Sequence, residues 1–180
     1  TASGLAALSK YSGFFLAPGV LLWVLVTPGV RAMLRTPWPW IAAVAGLAVF
    51  SPNLAWNSGH GWMTFAKQFG RIGSGAFSPG HLPEMLITQF VLLNPLVAIF
   101  ALAGAGLAWS RRAEARWAGL ALPLLTGAPF IAYLMAHALQ ATVQGHWPVP
   151  LFAPLAVCAA VAAQARPPGP TALFWRRAGA

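Results

Sequence analysis

The sequence predicts an all-α fold: a polytopic transmembrane helix bundle of about five spanning helices, with one further helix lying in the outward membrane surface. Of its 180 residues, 58% are hydrophobic and only 7% charged, against roughly 45–50% and 25% in ordinary soluble domains. The apolar residues fall in runs of the length that crosses a bilayer, about 20 residues each. Aromatic and cationic residues punctuate the ends of those runs, as they do at membrane–water interfaces.

Hydropathy places the crossings at approximately Gly4 to Val26, Trp38 to Trp56, Pro83 to Trp109, Trp117 to Leu139 and Val149 to Gln164. Prolines inside several of them, such as Pro52, Pro95, Pro123 and Pro129, predict kinks. A bundle tolerates these because neighbouring helices can satisfy the freed carbonyls. Trp38, Trp40, Trp56, Trp109, Trp117 and Trp147 lie near run ends, where an indole buries its ring and keeps its N–H wet. Small residues four apart, Ala101 with Ala105 and Ala156 with Ala160, predict close helix contacts. Residues 1–165 thus form one transmembrane helical domain, followed by a Pro-rich tail over 166–180.

Orientation follows from the cations, since Lys and Arg resist translocation. Arg31, Arg35, Arg111, Arg112, Arg116, Arg166, Arg176 and Arg177 fall on one side, and only Lys67 and Arg71 on the other. The first set marks the cytoplasmic side, so the tail is cytoplasmic. The loop from Asn57 to Leu82 and the turn from Gln140 to Pro148 face outward. The chain opens at Thr1 without the basic start or cleavage site of a secretory signal, and reads as a fragment of a larger polytopic protein.

Eleven Lys or Arg stand against two acids, Glu84 and Glu114, with no Asp, for a formal charge of +9. Oxygen-ligand metal cages and disordered acidic segments are excluded by that count. The cations form no contiguous basic face, so no nucleic-acid partner is expected. The single cysteine, Cys158, lies within an apolar run and permits neither a disulfide framework nor a cysteine zinc site. The four histidines form no close helical pair and have no acid at ligand spacing. Neither metal nor cofactor is predicted. Glu84, after Pro83, suits the positive end of a helix, and Glu114 suits its arginine neighbours.

Polar chemistry concentrates on the outward side. Trp62, Phe65, Phe69 and Ile72 recur at helical spacing, with Thr64, Lys67, Gln68 and Arg71 on the opposite face, the pattern of a helix lying in the membrane surface. Lys67 and Arg71 either attract anionic headgroups or hold the phosphate of a lipid-linked substrate. Lys10 stands in an apolar segment, where an ammonium is costly unless wetted, paired or snorkelling. Tyr11 adds a hydroxyl, and Ser9 and Ser12 can satisfy backbone groups where the helix breaks. His60 and Trp62, and His146 and Trp147, combine imidazole with indole at outward helix ends. That pairing suits a carbohydrate or phosphate cavity, and it equally suits interfacial anchoring.

The strings Leu8-Ser9-Lys10-Tyr11, Phe50 to Asn57 with His60-Gly61-Trp62, and Gln144 to Pro148 resemble one known family. It is the polyprenyl-phosphate-sugar-dependent glycosyltransferase family of the GT-C fold, which includes protein O-mannosyltransferases, aminoarabinose transferases and Rgt-like lipopolysaccharide sugar transferases. The resemblance implies an integral-membrane enzyme, in bacteria of the inner membrane with its active face outward. It implies transfer of a hexosyl or pentosyl group from a polyprenyl-phosphate carrier to an extracytoplasmic lipid, glycan or protein. It further implies a place for Lys10 near the carrier phosphate, with Tyr11, Lys67 and Arg71 as companions. His60, Trp62, Gln68, His146 and Trp147 are expected around an outer-face cavity. The family's catalytic acid lies in an earlier extracytoplasmic loop, so a chain without Asp is expected to lack that loop and to be inactive alone. A membrane transporter and a non-catalytic lipid-binding scaffold share the hydropathy and the buried lysine.

Overall fold

The computed structural model describes residues 2–70 and 75–165, with the side chains of 115 and 116 left aside. Among these residues it is wholly helical. Helix α1 (Ala2–Ser9) leads through a 3-10 turn (Tyr11–Phe15) into α2 (Leu16–Val26). A second 3-10 turn (Arg31–Arg35) precedes α3 (Trp38–Gly59) and the short α4 (Met63–Phe69). Then come α5 (His81–Leu92), α6 (Pro95–Ser110), α7 (Ala115–Ala138), a 3-10 turn (Val149–Leu151) and α8 (Phe152–Ala165). The tail over 166–180 and Arg71 lie outside the described residues.

Small residues set the closest helix contact, and a cluster of larger apolar residues, Met85, Phe130, Leu134 and Val143, is buried around the end of α7. The main helix pairs are α6 with α8, α2 with α7, and α1 with α3. Ala101, Gly104 and Ala108 of α6 meet Cys158, Ala159 and Ala162 of α8, all of them buried. A Cβ on Gly104 would lie 2.0 Å from the Cys158 carbonyl oxygen, so only glycine admits this approach. In lipid the partner helices gain little from hiding apolar surface, and close backbone contact takes over that role. The expected Ala101 contact holds, whereas Ala156 and Ala160 face outward. The helical register of α8 sets Cys158, Ala159 and Ala162 toward α6 instead. Large apolar residues, among them Val44, Leu47, Ile99 and Leu102, stay exposed, as a bilayer permits.

Two helices, Trp38–Gly59 and Trp117–Ala138, are each long and apolar enough to cross a membrane. The expected crossing over Pro83 to Trp109 is a pair, α5 and α6, bent by 103°. Its break lies at Asn94, whose φ of 72° lies outside the helical region and whose side chain accepts from the Leu96 N–H, with Pro95 opening the next helix. Both ends of α5 meet the turn after α7, with Gln89 Nε2 donating to the Gly145 carbonyl at 3.2 Å, and α6 alone runs on toward the other end of the bundle. At one end the Ser78 N–H donates to the Leu139 carbonyl and His81 Nδ1 lies 3.3 Å from the Thr142 hydroxyl, beside the end of α7. At the other end Arg112 Nε donates to the Val26 carbonyl, beside its start.

The remaining expected crossings are shorter apolar helices. Residues Tyr11–Val26 and Val149–Ala165 make continuous helical stretches of that kind. The first expected crossing is not a single rod, because the chain extends at Lys10 and separates α1 from the stretch that contains α2.

Gly104→Val should force α6 and α8 apart and destabilise the protein by about 1–3 kcal/mol, the range for overpacking. Gly106→Ala, in open space, should leave the thermal midpoint unchanged or slightly raised. Unfolding in detergent, followed by tryptophan fluorescence, checks both.

Candidate functional site

The site begins with the break at Lys10. The backbone there is extended, with φ −156° and ψ 135°, so its helix cannot continue. The groups freed by the break are satisfied locally. The Lys10 N–H donates to the Ala6 carbonyl at 2.9 Å, the Gly13 N–H to the Lys10 carbonyl at 2.8 Å, and the Ser9 hydroxyl to the Leu5 carbonyl at 2.9 Å. Ser9 therefore plays its expected part, and Gly13 adds one that periodicity did not suggest. A Cβ on Gly13 would lie 2.4 Å from the Ala6 backbone, so the turn folds back tightly against α1. Lys10 is left exposed, and no described carboxylate pairs with it.

Beside it opens a cavity of about 410 Å³. The turn contributes Ser9, Lys10, Tyr11, Ser12 and Phe15; α4 contributes Gln68 and Phe69. Helix α7 adds Phe130 and Tyr133, and the turn after it adds His146 and Trp147. Residues far apart in sequence thus line one cavity together with Lys10. Neither Glu84 nor Glu114 lines it. A second groove, of about 330 Å³, shares Lys10, Ser12 and Phe15 and runs past Leu16, Pro123, Gly127, Leu151 and Pro154. It is more apolar than the first. Lys10 stands where the two meet.

Tyr11 is oriented by an amide pair, Asn53 half-buried and Asn57 buried. Its hydroxyl donates to Asn53 Oδ1 at 3.2 Å, and Asn57 Nδ2 donates to the same oxygen at 3.1 Å and to the Asn53 carbonyl at 3.0 Å. The Thr64 N–H donates to Asn57 Oδ1 at 3.3 Å, which ties α4 to the end of α3. Asn57 is completely buried, and these bonds offset the cost of placing an amide there. It thereby links the Tyr11 hydroxyl to the helix that carries Gln68.

Helix α4 turns part of its aromatic face inward while Trp62 stays exposed. Phe65 packs against Tyr11 and Phe14, with ring centres 5.8 Å apart in both pairs, and Phe69 lies 6.2 Å from Phe14. The aromatic rings of the Tyr11–Phe15 turn compete for the face that amphipathicity alone would give to lipid. Lys67, on the same helix, is exposed and does not line the cavity.

His60 and Trp62 also stand apart from the cavity lining. The His60 ring stacks on Trp56 at 4.1 Å, and its Nδ1 lies 2.7 Å from the Trp56 carbonyl. Trp62 adopts a left-handed backbone, φ 56°, just after Gly61 at φ 63°, which turns the chain sharply from α3 into α4. Glu84 lies in the first turn of α5, 3.6 Å from His81. Glu114 precedes α7 with no ion pair to Arg111 or Arg112.

Tyr133 and Phe130 were not singled out from sequence, although the i, i+3 spacing to each other and the i+4 spacing to His137 place all three on one stripe of α7. The His137 ring is buried between Tyr133, at 6.1 Å, and Trp147, at 5.4 Å, and so braces the indole in the cavity wall.

Chemically, the cavity offers one ammonium, several hydroxyls and an imidazole, with a proline- and leucine-lined groove beside them. Residues 1–56 match the family model of dolichyl-phosphate-mannose-protein mannosyltransferase. The matched segment holds one of the strings that carry the resemblance, Leu8 to Tyr11, and the second as far as Trp56, and supports it. No curated protein and no solved structure matches the chain.

Removing the buried amide in Asn57→Ala should cost about 1–3 kcal/mol, because its partners lose bonds inside the protein. Ser58→Ala, at an exposed neighbour, should cost under about 0.5 kcal/mol. Equal thermal midpoints for the two variants would contradict the role given to Asn57.

Proposed function

We propose that this chain forms the donor-binding side of an integral-membrane glycosyltransferase, which moves a sugar from a polyprenyl-phosphate carrier to an extracytoplasmic acceptor. The observation that carries the reading is the position of Lys10 at the junction of a polar cavity and an apolar groove. A polyprenyl-phosphate sugar has the same division, with an anion between a sugar and a hydrocarbon tail. The family match over residues 1–56, which includes Lys10 and Tyr11, agrees with it.

On this reading Lys10 holds the carrier phosphate, the Tyr11 hydroxyl turns its one proton from Asn53 Oδ1 to a phosphate oxygen when the donor binds, and the groove along Leu16, Pro123 and Leu151 takes the first isoprene units. Gln68, His146 and Trp147 face the sugar from the far wall, with Tyr133 between. When the acceptor oxygen attacks the anomeric carbon, the bond to the phosphate oxygen breaks and negative charge gathers on the departing phosphate. A fixed ammonium stabilises that charge more than it stabilises the ground state. Lys67, next to Gln68, draws the anionic head toward the opening, and Arg71 belongs to the same proposal. His60 and Trp62 belong to the outer surface over which the acceptor arrives.

An acceptor hydroxyl also needs a base within hydrogen-bond reach. No carboxylate lines the cavity, and on this reading an acidic base is supplied by sequence outside this chain, which by itself binds donor without turnover. The sugar is a hexose or pentose, the acceptor a lipid, glycan or protein, and the setting a bacterial inner membrane with the site facing outward.

Donor binding tests this without requiring catalysis. Lys10→Ala should weaken binding of polyprenyl phosphate by about tenfold or more, the loss expected for a charge-assisted contact. Lys67→Ala should weaken it about two- to threefold, as a more distant exposed cation does. Unchanged affinity in Lys10→Ala, with folding intact, would overturn the assignment.

A further inference from the structure

The opposite end of the bundle holds a second concentration of positive charge that the donor site does not use. Helix α2 ends at Val26, and its last carbonyls draw in two arginines from different parts of the chain. Arg31 Nε donates to the Leu25 carbonyl at 2.9 Å, with its Nη2 on the same oxygen. Arg112 Nε donates to the Val26 carbonyl at 3.3 Å, and its Nη1 to the Trp109 carbonyl at 2.7 Å. Because Leu25 and Val26 are consecutive, both guanidinium groups are anchored on the last turn of α2. Arg111 is the next residue back along the chain from Arg112.

Two indoles support this group. The Arg112 guanidinium lies 4.2 Å from the centre of the Trp109 ring, and that of Arg111 lies 5.5 Å from the Trp117 ring. Backbone bonding leaves Arg31 Nη1 and Arg112 Nη2 without a partner among the described residues, and the Arg111 fork is engaged only by the ring. No described carboxylate pairs with any of the three, although Glu114 is close in sequence. Arg31 and Arg111 are exposed and Arg112 half-buried. Unneutralised guanidinium groups, two of them pinned by helix-end carbonyls and flanked by the exposed Trp109 and the buried Trp117, match the chemistry of a phosphodiester in a lipid headgroup.

We propose that Arg31, Arg111 and Arg112 form a binding site for the phosphate of an anionic membrane phospholipid at the cytoplasmic end of α2. The helix-end carbonyls fix two of the cations in place, which lowers the ordering cost of gripping the phosphate. Binding joins α2, α6 and α7, and so steadies the end of the bundle remote from the donor cavity. The proposal is independent of the donor reading, since it involves neither Lys10 nor either groove.

Its test compares the chain in nanodiscs of phosphatidylcholine with and without phosphatidylglycerol. The readouts are the thermal midpoint and the phospholipid retained in native mass spectrometry. Phosphatidylglycerol should be retained preferentially and raise the midpoint. Arg111→Gln, which breaks no backbone bond, should reduce retention about fivefold and leave the midpoint in pure phosphatidylcholine unchanged. Arg35→Gln removes the same charge from the same connector as Arg31, from a side chain with no bond to α2, and should have little effect. Equal retention of the two lipids by the unmodified chain, or equal losses in Arg35→Gln and Arg111→Gln, would overturn a defined site. Addition of inorganic phosphate should not displace the lipid; displacement would assign the cluster to a free anion.

Discussion

The structure is organised around the problem of keeping one ammonium inside an apolar segment. A charge in hydrocarbon costs about 2.5–3.5 kcal/mol even on the lowest scale, and Lys10 has no described carboxylate to neutralise it. The fold answers by breaking the helix at that residue. An extended backbone at Lys10 ends α1, and the next turn folds back on Ala6 through Gly13. The ammonium is thereby left beside a cavity instead of in a continuous rod. The rings of that turn, Phe14 and Phe15, then dictate how α4 and α7 dock, through Phe65, Phe69, Phe130 and Tyr133. The cavity walls are therefore a consequence of the same break.

The two ends of the bundle handle polar groups differently. At the Lys10 end, the extended chain, the Asn53–Asn57 pair and the sharp turn at Gly61–Trp62 bring hydroxyl, amide and imidazole groups around open space. At the other end, Arg31 and Arg112 close directly onto the carbonyls of α2. The first arrangement leaves room for a ligand with a head and a tail. The second stiffens the scaffold and offers only a shallow cationic rim. Between them, glycine and alanine contacts let α6 and α8 approach closely, while bulky aliphatic residues face outward.

Much of this was legible in the residues themselves. Runs of apolar residues gave the helical class, and Trp38 and Ala138 fall at or beside the predicted ends of the two longest helices. Lys10, Tyr11, Gln68, His146 and Trp147, singled out from composition and resemblance, border one cavity. Other features depend on tertiary competition that a hydropathy window averages away. The bend at Asn94 was announced by Asn-Pro, a helix-start signal, yet uninterrupted hydrophobicity across it argued for one rod. Amphipathicity placed the α4 aromatics on one face, and the neighbouring turn takes Phe65 from that face while Trp62 stays exposed. Tyr133 was hidden because a tyrosine in an apolar helix carries no signal until its neighbours in space are known.

The central claim is that the space beside Lys10 is a wet anion site continuous with an apolar groove. Ser12 borders both compartments, so Ser12→Cys, in a chain whose buried Cys158 is replaced by alanine, reports on it directly. In a bilayer, a membrane-impermeant maleimide should label that thiol. Polyprenyl phosphate should slow the labelling where neutral polyprenol does not, and adding Lys10→Ala should abolish the protection. A thiol that stays unlabelled, or that polyprenol protects equally well, would contradict the account.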